Sequence, residues 1–473
     1  MKKENVKTYA LVLLIICSIG LTGKIWFEEK LWPEGYNFFS VIKDKFSFGG
    51  GEFVSSLTKE TISFPNTVIV NNVEKRSIYT DPGEAYTTIA TDAKSLIRLA
   101  LESTSLTPVD AGEWSMAIKS RSIHVTYPVA YDSRLFLNIL GSYKTDGISI
   151  PVKEFIISSG DSVSSNVNVY IRNHDTSEVL KAPVKWDKKS LDDLIVMYAA
   201  DSIGDLSYSA ELNFDKTNDV DGTNVEQKVF IEPTVPIQLN RKLTNMVRSV
   251  NPLYDHEFDS DVVSHILKQF EYNTSGAKKY TERDNSVVYV ENYSTLKLHP
   301  NGLVEYKAID RSKGISLGST DFYGNLLACV DFVNLMWQDI FPDQPLNINI
   351  SSDVIDAKSK SFTLTMEYFA DGIQVVTDIP QTGTHGRIGH GVEIEVYEGR
   401  IVSYKQHFAI FEPAGISSNS VSAIDALDEL LSRQDLNDQS IEELYPVYVS
   451  SQAPYYLSSW AVKTSTGQSI IID

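Results

Sequence analysis

Cysteine is almost absent from this chain. Two occur in 473 residues, Cys17 and Cys329. Cys17 lies inside an apolar run, so pairing it with Cys329 would draw a folded domain into a bilayer. That excludes a disulfide framework, and two cysteines alone make no metal site. Cys329 reads as a small buried hydrophobe on a helix. Positive charge is also scarce. Lys and Arg total 42 against 62 Asp and Glu, a net charge of −20. A surface so acidic repels nucleic acid and anionic headgroups, which excludes polyanion binding by the bulk of the chain. Catalytic signatures are missing as well. There is no G-x-S-x-G elbow, no Walker loop and no G-x-G-x-x-G.

What is plentiful is Tyr (24) and Phe (20), residues that favour β-rich structure. The length allows two or three domains. The first long uncharged run is Thr8–Gly23, preceded by Lys2, Lys3 and Lys7. Lys24 interrupts it and can snorkel, and Trp26 suits an interfacial belt. Residues 8–27 would make about 30 Å of helix, enough to span a bilayer. A secretory signal needs a small-x-small cleavage site after a short apolar core. Ser18-Ile19-Gly20 and Gly20-Leu21-Thr22 fit poorly, because apolar character continues past both. The expectation is a retained single-pass anchor in the cell membrane. The lysines put residues 1–7 in the cytoplasm and the bulk of the chain outside.

Beyond the anchor, residues 28–58 read as a juxtamembrane stalk ending near Gly49–Gly51. Residues 59–248 read as an N-terminal α+β domain. Its strands are "TVIV", "SIHVTYPVAY" and "VNVYIRN". One helix carries Ile89, Ala93, Leu96, Ile97 and Ala100, and a second is capped by Ser190. Residues 249–473 read as a C-terminal α+β domain. Ser260 caps a helix there, and the longest helix carries Leu326, Val330, Val333 and Trp337. Another helix follows Ser422. Hairpins turn at Asn301-Gly302, Asp371-Gly372, Glu398-Gly399 and Thr466-Gly467, the first read as a type I′ turn with positive φ at both central residues. The fold class is α+β: a membrane helix, then two extracytoplasmic domains of antiparallel sheets covered by helices on one face.

Three clusters bear on chemistry. "DHEFDSDVVSH" places His256 and His265 nine apart, not the four of a zinc-binding H-E-x-x-H helix. Asp255, Glu257, Asp259 and Asp261 could hold Ca²⁺, yet they lack the glycine and terminal Glu of an EF-hand loop. An acidic entry to a helix explains them more simply. "QTGTHGRIGHGVEIEV" holds His385 and His390, too few ligands for a structural metal, and reads as a loop between strands. Glu367 and Asp371 near a hairpin tip could share acid/base work, but solvated surface charge suffices. No catalytic, metal or cofactor residue is expected, and no enzyme. In the anchor, Ser18 and Thr22 form a small-xxx-small pair with Gly20 and Gly23 nearby. Such residues let membrane helices approach closely.

The pattern resembles the YycH family, and its C-terminal part is similar to YycI and PepSY-like domains. The carrying residues are the membrane segment ending in "IWFEEKLWP", then "NPLYDHEFDSDVVSHIL", "SVVYVENYSTLKLHPNGLVEYKA", "LTMEYFADGIQVV" and "VEIEVYEGRIVSYKQHF". The resemblance implies an accessory regulator of the WalK/YycG sensor histidine kinase, in a two-component system controlling cell-wall metabolism in Gram-positive bacteria. It implies a YycI-like single-pass partner. The rival readings are a tethered surface hydrolase and a sensor that binds a ligand or peptide.

Overall fold

The computed structural model describes residues 62–472 except 74, 81–82, 104, 143, 145–147, 161–165, 200–205, 213–229, 240, 256, 274–275, 292, 352–353, 356–360, 378–389, 433–439, 453 and 468. All belong to one compact unit, Val54–Asp473. The expected membrane helix and stalk, with Ser18, Gly20, Thr22 and Gly23, lie outside the described residues. Among the described residues no helix is long and apolar enough to cross a membrane.

The class is α+β. A first sheet runs in the order Lys75–Tyr79, Thr67–Asn72, Ser122–Asp132, Pro151–Ser158, Val167–Asn173, Val179–Val184, Thr107–Val109, each strand antiparallel to the next. Helix α1 (Glu84–Leu101) buries Ile89, Ala93, Leu96, Ile97 and Ala100, the three- and four-residue spacing of one helix face. It packs on the face formed by Val68, Val70, Ile123, Val125 and Phe155. The opposite face is not left to solvent. Ile69, Ile156 and Tyr170 meet Trp114, Ala117 and Ile118 of α2 (Ala111–Lys119). Pro151–Ser158 is buried on both faces, so this sheet is covered on both sides, not on one. Two further helices, α3 (Ser133–Ile139) and α4 (Lys188–Tyr198), complete this half. The cap of α4 is Asp187, whose carboxylate accepts from the Lys189 amide, not Ser190.

A second, larger sheet joins sixteen strands. Its core takes in α6 (Phe322–Ile340), with α5 (Ser260–Gln269) against that helix. Phe270 of the α5 end meets Phe332 and Tyr404 edge-on, with centroids 5.5 and 5.3 Å away. Trp337 stacks on Phe408, and its indole N–H donates to the Gln344 carbonyl at 2.9 Å. Cys329 on α6 is wholly buried, and burial pushes its thiol pKa far up. The last helix, α7 (Ala423–Ser432), follows Ser422, whose hydroxyl pairs reciprocally with the Asp425 amide and carboxylate.

Two hairpins have positive φ at both central residues: Asp371-Gly372 (50° and 70°) and Glu398-Gly399 (47° and 74°). Asn301-Gly302 does not. Only Gly302 is positive, at 93°, in a four-residue connection between Leu298 and Leu303. A Cβ on Gly302 would also come within 2.7 Å of the Phe408 carbonyl.

The chain stitches the sheets together in both directions. Phe230–Ile231 pairs in parallel with Ser440–Gln452, and Lys242–Val250 lies between Tyr455–Thr464 and Ile410–Ser422. In return, Ile348–Ile350 pairs in the second sheet, while Val354–Ile355 pairs in parallel with Ala130 and Tyr131 of the first.

The cap of α5 is also one residue earlier than the spacing suggests. Asp259 accepts from the Asp261 and Val262 amides, at 2.8 and 3.1 Å. Asp259→Ala is therefore expected to cost about 1 kcal/mol in chemical denaturation, and Ser260→Ala only a few tenths. Equal costs for the two would return the cap to Ser260.

Candidate functional site

A cleft of about 620 Å³ opens where the two sheets meet. One wall comes from Ser122–Asp132 and Pro151–Ser158 of the first sheet. The other comes from Ile348–Ile350, Ser361–Ala370, Ile373–Val375 and Ser440–Gln452 of the second. Side chains that alternate out of those strands place titratable groups in it.

On the first wall is His124, 2% exposed. Its Nδ1 lies 3.3 Å from the Tyr208 hydroxyl, and Nε2 is 4.0 Å from Glu154. Burial lowers its pKa despite the Glu154 carboxylate, so the ring is neutral at pH 7. Glu154 faces Arg172 at 3.3 Å, and Arg172 reaches on to Glu232 at 3.6 Å.

Between the walls runs an ion pair. Lys153 from the first sheet donates to Glu443 from the second. Burial alone would lower the Lys153 pKa; Glu443, with Glu154 and Glu442 nearby, reverses this and raises it. Burial alone would raise Glu443; Lys153 and Lys463 hold it below the ordinary carboxylate value. Glu442 beside it is left raised, by burial and by the repulsion of Glu443 and Glu232.

On the second wall is Glu367, 4% exposed, with His390 Nδ1 against its carboxylate. Burial raises the Glu367 pKa and the histidine opposes the rise. Gly391 next to His390 is a close approach: a Cβ there would lie 2.5 Å from the Tyr368 ring.

The residues singled out by sequence fall differently. Glu367 is with His390, not paired with Asp371. His385 and His256 lie outside the described residues. Glu257 is in a two-residue strand, paired with Asp255 in register partners Tyr254–Phe258 and Asp255–Glu257. Asp259 is spent on the α5 cap. Among the described residues no group of three metal-ligating side chains gathers. Sequence reading passed over His124, Lys153 and Glu443 entirely; no local pattern marks them.

A triad-like set does occur elsewhere. Ser286 Oγ is 3.2 Å from His299 Nδ1, and His299 Nε2 is 2.6 Å from Glu305. Ser286 is wholly buried, so its hydroxyl cannot reach a substrate. The set clamps the strands Val287–Glu291, Ser294–Leu298 and Leu303–Ala308 at their turns.

The Lys153–Glu443 pair carries a pH prediction. Glu443 is depressed, so its stabilisation is present above the unfolded carboxylate value, about 4, and is lost as pH falls through the lower folded value. Lys153 is raised, so its share is present below about 10.4 and is lost as pH rises through the folded value. Glu443→Gln leaves the ammonium buried and is expected to cost about 2 kcal/mol at pH 7. The cost should shrink in acid, read from denaturation midpoints at stepped pH. A cost unchanged from pH 7 down through the carboxylate range would show that charge is not the source.

No family model and no curated protein matches the sequence. Solved structures do. The chain is similar to YycH from Bacillus subtilis, at 12% identity and TM-score 0.55, over 89% of this chain and 98% of that one. An uncharacterized protein from Eubacterium rectale ATCC 33656 superposes at TM-score 0.28 and 11% identity, over 51% of this chain and 83% of that one, too loosely to carry an argument. From the two stitched sheets and a superposition that spans nearly all of both chains, the fold of this protein is that of YycH.

Proposed function

We propose that this chain is a membrane-anchored, extracytoplasmic regulator, not an enzyme, that modulates a sensor histidine kinase of a two-component system controlling cell-wall metabolism. The observation that carries this reading is the superposition on YycH across 89% of the chain. The lysine-flanked apolar run at residues 8–27 supports the anchor and a single-pass topology with the N-terminus in the cytoplasm. Residues 59–248 and 249–473 would then be the two outer domains. The partners are the kinase and a YycI-like single-pass protein, met through the membrane helix and the outer domains.

In the helix, Ser18 and Thr22 form a small-xxx-small pair, with Gly20 and Gly23 close by, and such residues let a partner helix approach closely. Gly20→Leu and Thr22→Leu are each expected to cost about 1 kcal/mol of helix association, roughly fivefold in affinity. The measurement is co-purification from native membranes, beside a chain lacking residues 1–27. A histidine kinase that comes down with the full chain and falls away in the truncation and both variants supports the reading. Undiminished capture by the two leucine variants would remove the helix contact. A chain found trimmed near Gly20–Gly23 and alone would remove the anchor and the regulator reading with it.

A further inference from the structure

Three residues lining the cleft between the sheets each hold a buried polar atom without a hydrogen-bond partner: Asn66 Oδ1, His124 Nε2 and Glu367 Oε2. His124 and Glu367 are 2% and 4% exposed, and His390 meets the other oxygen of the Glu367 carboxylate. Burying a polar atom without a partner is costly, so three in one cavity need a reason, and the two deepest, on His124 and Glu367, face from opposite walls. Their chemistry is complementary. Tyr208 is buried and keeps its proton, which it can donate to His124 Nδ1, and the Glu154 carboxylate 4.0 Å from Nε2 favours the tautomer in which it does. The neutral ring then carries its proton on Nε2, which offers a donor. Glu367 Oε2 offers an acceptor. What fits both at once presents a carbonyl to one wall and an N–H or ammonium to the other, as a peptide does.

Charge narrows the choice. Glu442 and Glu443 face the same space, with Lys463 near them. Behind the lining, Lys153 is engaged by Glu443 and Arg172 by Glu154 and Glu232, so carboxylates outnumber the one lysine, Lys463, that lines the cleft. A cationic occupant relieves the crowding of Glu442 by Glu443 and Glu232; an anionic one adds to it. Ile350, Phe369 and Leu444 supply apolar lining for an aliphatic body. A cavity of about 620 Å³ lies in the usual range of small-molecule sites.

We propose that this cleft binds a short basic peptide, its backbone carbonyl on His124 Nε2 and its N–H or ammonium groups on Glu367 and Glu442. The site stands apart from the kinase reading, which its failure would leave untouched.

The test is isothermal titration of the purified full-length chain, in detergent, with the tripeptide lysyl-leucyl-lysine, and with glutamyl-leucyl-glutamate as the opposite-charge probe. The expected result is saturable one-to-one binding of the basic peptide and none of the acidic one. Glu442→Gln, at a partly exposed position, should weaken binding at least about tenfold without lowering the thermal midpoint, since it removes a carboxylate crowded by Glu443 and Glu232. Glu367→Gln should weaken it as much; if that variant fails to fold, the Glu442→Gln result decides. Absence of saturable binding at millimolar peptide, equal binding of both peptides, or full affinity in Glu442→Gln would each overturn the proposal.

Discussion

Burying a lysine ammonium is costly unless a carboxylate meets it there. Lys153 is such a group, and the carboxylate that meets it, Glu443, belongs to the other sheet. One junction between the halves is organised around that contact. The strand bearing Glu443, Ser440–Gln452, is also the one on which Phe230–Ile231 pairs as the chain enters the second sheet. Arg172 spans the same junction from Glu154 to Glu232, and the Glu232 amide donates to the Ile441 carbonyl at 2.9 Å. Charge and backbone pairing thus converge at one seam.

The return connection explains why the seam encloses space instead of closing. Ile348–Ile350 stays with the second sheet and Val354–Ile355 pairs with the first, so one short segment bridges the walls. Such a bridge fixes one side of the junction while the polar pairs fix another. The faces between them are the walls on which His124 and Glu367 sit. An apolar seam would have collapsed around its own side chains. Ion pairs hold the strands at the length of their side chains and leave a cavity beside them.

Much of the fold was legible in the sequence, and the physical reason is periodicity. Ile89, Ala93, Leu96 and Ala100, and likewise Leu326, Val330, Val333 and Trp337, repeat at helical spacing because one face of each helix is buried. Asp371-Gly372 and Glu398-Gly399 were legible because a tight hairpin demands positive φ. The misses have equally local causes. Pro151–Ser158 is apolar on both faces and shows no alternation, and α2 is too short for its period to emerge around Trp114 and Met116. Asp187 and Asp259, not the nearby serines, took the caps, because an aspartate stood one to three residues ahead of each serine and spacing could not choose between them. The cleft was not legible. Lys153 and Glu443 are 290 positions apart, and Glu367 and His390 are 23 apart. Only the pairing of whole sheets brings them together.

That the seam is ionic says more about specificity than about stability. Well-packed apolar residues in place of a buried ion pair are often as stable or more so. What they lack is discrimination, since an apolar seam tolerates neighbouring registers at little cost. A one-residue slip of Ser440–Gln452 in one direction would turn Glu443 away from Lys153 and present Leu444 to it. The ammonium would then be buried against an isobutyl group. Glu442 and Glu443 both line the cleft, and their strand's pairing is irregular between Ile441 and Glu443. The ion pair therefore disfavours the register that sets Leu444 against the lysine.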